Sequence, residues 1–85
     1  MNDLASKYDD LVKQEKAFFK QIGTAELCLI AIFDYTFQYG EVTDKLTLEE
    51  MMMALHQIEM DLRTEMIHLR LEKALVAGEL KNSIP

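Results

Sequence analysis

Hydrophobic positions along the chain repeat with helical spacing from end to end. Leu4, Tyr8, Leu11, Phe18 and Ile22 fall on one stripe, with Ala5, Val12 and Phe19 beside it, which predicts a first helix over about 3–22. Glu15 interrupts that stripe. Asp3, Asp9 and Asp10 come early and Lys13, Lys16 and Lys20 late, the order a helix dipole favours. Gly23 then suits a helix stop and Thr24 an N-cap, so a second helix is expected over about 25–39, closed by Gly40. Its Leu27, Leu29, Ile30, Ile32, Phe33, Tyr35, Phe37 and Tyr39 are apolar nearly all round, as in a central helix. Taken alone, 27–39 also fits a buried strand, but the glycine stops, the cap and the helical neighbours favour helix. After a loop at 41–46, Thr47-Leu48-Glu49-Glu50 reads as a capping box opening a third helix over about 48–79, weakened near Gly78. At 1.5 Å per residue that helix spans ~48 Å, more than the width of a compact domain of this size.

The third helix carries two apolar stripes. Leu48, Leu55, Leu62, Leu69 and Val76 recur every seven residues, flanked by Met51, Ile58 and Met66. Met53, Met60, Ile67 and Leu71 gather on roughly the opposite side. One polar strip between them holds His56, Glu59, Arg63 and Arg70, and the other holds Glu50, Asp61, Glu65, His68 and Glu72. A helix with two apolar stripes is packed on both sides. The first two helices can cover the Leu55–Leu69 stripe, and a second copy of the chain is the simplest cover for Met53, Met60, Ile67 and Leu71, although the two stripes could be exchanged. The expected architecture is therefore all-α, three helices in one domain over 1–85 with a disordered tail at 81–85, paired as a homodimer. A monomeric three-helix bundle with exposed methionines is the competing arrangement.

Composition narrows the function classes. Apolar residues at 49% and charged residues at 28% describe a folding chain, not a disordered one. Nine Lys and Arg against fifteen Asp and Glu leave a net charge of −6, a poor match to nucleic-acid phosphates. Most of the excess lies in 24–61, where eight carboxylates face Lys45 alone. Glu41, Asp44, Glu49 and Glu50, around the turn before the third helix, are the candidate contacts for a basic protein partner. The longest apolar run, 27–33, is far short of a membrane span, and the first residues show no basic stretch followed by an apolar one, so a cytoplasmic location is expected.

Candidate chemistry is sparse. Glu65-Met66-Ile67-His68 matches one Glu-x-x-His element of di-metal bundles, but such sites need two elements and two further glutamates facing a core, and this pair lies on a polar strip. His-Glu-x-x-His, the P-loop and the glycine-rich dinucleotide patterns are missing. Cys28, the only cysteine, sits in an apolar run and reads as a small buried hydrophobe. No enzyme, metal or cofactor is expected. The methionines of the third helix could alternatively form an adaptable docking surface.

From Gly40 to Leu75 the chain resembles the YmgB/AriR family of small helical biofilm and acid-resistance regulators. The resemblance rests on a hydrophobic helix ending at Gly40, the Val42-Thr43 turn, and Leu55, Ile58, Glu59, Asp61, Leu71 and Glu72 along the helix that follows. It implies an intracellular helical homodimer that regulates by binding other proteins and has no catalytic residues. DNA binding, attributed to that family, conflicts with the charge balance here. The alternative is a phage- or plasmid-encoded binding inhibitor, or a small secretion co-chaperone, using an acidic helical surface.

Overall fold

The computed structural model describes residues 3–83 as an antiparallel pair of long helices. Helix α1 runs Asp3–Tyr39 and helix α2 runs Lys45–Asn82, joined through a single 3-10 turn at Gly40–Val42. No described residue is in a strand, so 27–39 is helical. The chain is all-α, but with two helices where the sequence predicted three. The hairpin measures 67 × 15 × 14 Å, one layer of two helices and no more.

The predicted break at 23–24 does not occur, and the reason is packing. Shielded residues of α1 recur at alternating steps of four and three: Leu4, Tyr8, Leu11, Glu15, Phe18, Ile22, Ala25, Leu29, Ile32 and Thr36. That ladder crosses Gly23 without a change of phase. A glycine inside a helix costs about 1 kcal/mol, less than the burial of the neighbouring Ile22 returns. Thr24 is not a cap; its hydroxyl donates to the Lys20 carbonyl one turn back, at 3.0 Å. In α2 the matching ladder is Leu48, Met52, Leu55, Glu59, Leu62, Met66, Leu69, Lys73, Val76 and Leu80. The two ladders form one coiled-coil-like seam. Leu48, Leu55, Leu62, Leu69 and Val76 thus lie against α1, while Met51 and Ile58, expected beside them, are exposed.

Hydroxyl and carboxylate groups fix the reversal. Thr43 Oγ1 donates to the carbonyls of Tyr39 and Gly40, each at 3.2 Å, which satisfies acceptors left open at the end of α1. The N-cap of α2 is Asp44, not Thr47: its carboxylate accepts from the Thr47 backbone N–H at 3.0 Å and from the Thr47 hydroxyl at 2.6 Å. The helix consequently starts three residues earlier than predicted. It also ends later, since Lys81 and Asn82 are helical where a disordered tail was expected; residues 84 and 85 of that tail lie outside the described residues. Gly78, inside α2, would meet nothing within 4 Å if it carried a Cβ. Gly78→Ala is therefore expected to stabilise the hairpin by about 0.4–1 kcal/mol, read as a higher thermal midpoint. An unchanged or lower midpoint would place a neighbour at that position.

The two ends of the hairpin are packed unequally. Leu11, Leu69 and Val76 are buried together near the chain termini, with Leu4, Tyr8, Phe18 and Leu80 packed on them. Ile22, Ala25 and Met66 extend the buried set toward the middle. Between 26 and 65, toward the turn, no described residue is buried.

Candidate interaction surface

Ion pairs fix which sides of the helices lie together. On α1, Phe19, Glu26 and Phe33 recur every seven residues along one flank of the seam, with Gly23, Ile30 and Phe37 one strip farther out. On α2, His56, Arg63 and Arg70 line a flank, with Met53, Met60 and Ile67 outside them. An ion pair between Glu26 and Arg63 joins the two inner rows, and Phe19, Glu26, Arg63 and Arg70 border one shallow depression. The methionine stripe of α2 and Phe19, Phe33 and Phe37 of α1 therefore share one broad face. Phe19, Ile30, Phe33, Phe37, Met53, Met60 and Ile67 are all exposed on it, Phe37 at 92%. The sequence marked the α2 half of this face; the α1 half was assigned to a protein core. Leu71, grouped with the α2 stripe, is exposed one strip farther round, on the side away from the seam.

The opposite face is more polar. Lys7 pairs with Glu72 across it at 3.4 Å. Cys28 is exposed there, not buried as its apolar neighbours suggested, because the seam takes Ala25 and Leu29 and leaves the intervening position outside. Glu65 and His68 are exposed as well, and among the described residues no three His, Cys, Asp or Glu side chains come together as a metal site. Toward the turn, Tyr35 and Tyr39 rings lie 5.1 Å apart.

The sequence showed Glu15 only as an interruption of its stripe and did not single out Lys73. Glu15 is not an interruption but a seam position, partly buried, and it accepts from Lys73 Nζ at 2.9 Å and from Arg70 Nε at 3.1 Å. A polar pair at such positions favours one register, since sliding the helices by a turn would leave both charges facing hydrocarbon. Glu59, the next seam carboxylate, is also largely covered and lies 3.7 Å from Arg63. The readable signal was a carboxylate and an ammonium each standing in a leucine ladder. Spacing alone could not pair them across 58 residues of chain.

These contacts set a pH response. The Lys73 hydrogen bond, then Arg70, holds the Glu15 carboxyl below its usual range despite its partial desolvation. A depressed carboxylate contributes stability above its unfolded pKa and loses it as pH falls through the folded one. Thermal midpoints are expected to fall on acidification below about pH 4.5, and to fall less steeply in Glu15→Gln. Equal acid slopes in both proteins would remove Glu15 from the account. Asp44 is lowered in the same direction by the Thr47 hydroxyl and then its N–H. Of the four carboxylates expected to meet a partner, Asp44 is thus committed to the cap, while Glu41, Glu49 and Glu50 stand exposed around the turn.

Among the described residues no helix is long and apolar enough to cross a membrane. Comparison with known proteins gives no match: no family model, no curated protein and no solved structure matches the chain.

Proposed function

We propose that this chain is a small non-enzymatic regulatory or adaptor protein that works in the cytoplasm by protein–protein interaction, as a homodimer. One observation carries the reading. In the half of the hairpin nearest the turn the seam residues are only partly covered and no described residue is buried, yet Leu27, Ile30, Phe33, Phe37, Met53 and Met60 are exposed there. A surface of that kind marks an interface. The YmgB/AriR resemblance supplies the setting, connector-type stress or biofilm regulation, and the acidic turn supplies the means of steering a basic protein. The acidic balance argues against nucleic acid as the partner.

Sedimentation at micromolar concentration tests the reading. A species of twice 9.8 kDa is expected, and a 9.8 kDa species would overturn the homodimer. The monomer outcome would favour the second reading, a binding inhibitor or secretion co-chaperone that offers the same open face and acidic turn to a different protein.

A further inference from the structure

We infer that two copies pack face to face into a four-helix bundle with their turns at opposite ends, through the face that joins Phe19, Ile30, Phe33 and Phe37 to Met53, Met60 and Ile67. The inference rests on the homodimer reading and deepens it by naming the face, the occupant and the orientation.

Area argues that the occupant is a second copy. The chain exposes 6803 Å². A compact monomer of 9.8 kDa exposes about 5,200 Å² by the usual size scaling. The difference, roughly 1,600 Å², is ample for a stable interface, which takes about 800 Å² from each partner. A second hairpin of the same length also presents the same pair of parallel apolar strips, so the match is self-complementary, as twofold symmetry requires.

Charge chooses between the two ways of facing such hairpins. With turns at the same end, Glu41, Glu49 and Glu50 of one copy would crowd the same three carboxylates of the other. With turns at opposite ends and the twofold axis near the middle of the apolar face, by residue 28 of α1, each helix meets its own copy running the other way. Phe37 then reaches Phe19 of the second copy. Glu41 falls beside the second copy's Lys16, and Glu49 beside its Arg70 and Lys73. The segment 24–61, with its eight carboxylates and Lys45 alone, ends against the lysines of 13–20 rather than against itself. Like charges brought together cost free energy, while opposite charges select orientation and register.

Two nitroxide positions and one salt series test this on the full chain. The natural Cys28, exposed on the far face, reports which faces meet; a label there should sit about 20–30 Å from its copy, across two helix layers. Contact-range coupling at Cys28 would mean that the other face is the interface. Val42→Cys in a Cys28→Ser background reports orientation. Opposite turns place the two labels roughly 40 Å apart along the bundle at 1.5 Å per residue, whereas turns at one end bring them within roughly 20 Å. The short distance would overturn the orientation and leave the homodimer standing; a monomer would overturn both. Raising salt should weaken the opposite-ended dimer by screening attraction, and dimerisation that strengthens with salt would contradict it.

Discussion

Leu69→Ala is expected to cost about 2–5 kcal/mol and to leave the hairpin largely unfolded at moderate urea. Leu69 is buried against Leu11 and Val76 in the cluster that holds the chain ends together. The surroundings cannot collapse on the cavity, because only two helices are present and each is already committed along its whole length to the other. A chain of 85 residues has a total stability of about 4–13 kcal/mol, so one such loss is a large share of it. Leu75→Ala, six positions away and exposed at 60%, should change stability by no more than about 0.5 kcal/mol. Equal effects at the two leucines would mean that the seam has been placed on the wrong side of α2.

The double variant Met60→Glu with Ile67→Glu is expected to weaken self-association at least 100-fold and keep the helices. Both side chains are exposed in the single hairpin, at 44% and 66%, so the fold itself has little to lose. In a twofold dimer four such side chains are removed at once, each worth about 1.5–3 kcal/mol when fully buried, and carboxylates are set in their place. A 100-fold loss corresponds to about 2.7 kcal/mol, well within that range. Circular dichroism should show unchanged helicity while sedimentation shifts to the monomer. A variant that stays dimeric, or that unfolds outright, would show that this stripe is not the interface. Phe33→Glu should act in the same direction, since α1 contributes half of the face.

Helicity was legible in the sequence outside 27–39, and so were the two stripes of α2, though not which of them faces α1: Leu48, Leu55, Leu62, Leu69 and Val76 share one side as their seven-residue spacing requires, and that side is the seam. What misled was punctuation. Gly23 followed by Thr24 has the chemistry of a stop and a start, but local chemistry gives way when the residues on both sides pack continuously, and Ile22 and Ala25 are two of the few buried positions among the described residues. Glu15 looked like a flaw in α1 because its partners, Lys73 and Arg70, come from the other end of the chain. Cys28 looked buried because its neighbours are apolar, and that inference presumes a third helix to cover them. The same missing layer explains why Phe19, Ile30, Phe33 and Phe37 were assigned to a core. A sequence shows how much apolar surface a helix carries; whether the cover comes from the same chain or from another copy is a matter of helix count, and that depended on Gly23.

The uneven packing of the hairpin also bears on how it forms. Closing the short 40–44 reversal brings the nearest residues of α1 and α2 together at small entropic cost, so pairing is expected to begin there and zip toward the termini. The stabilising contacts come last, since Leu11, Leu69 and Val76 meet only when nearly the whole length has paired. Early pairing at the turn therefore gains little and reverses easily, and the barrier should lie late along the zipper. Substitutions at Leu11 or Val76 would then change both the folding and the unfolding rate, while those beside the turn would change neither by much in the isolated chain. Amide hydrogens of 30–60 should exchange faster than those of the terminal half by local opening in the isolated chain.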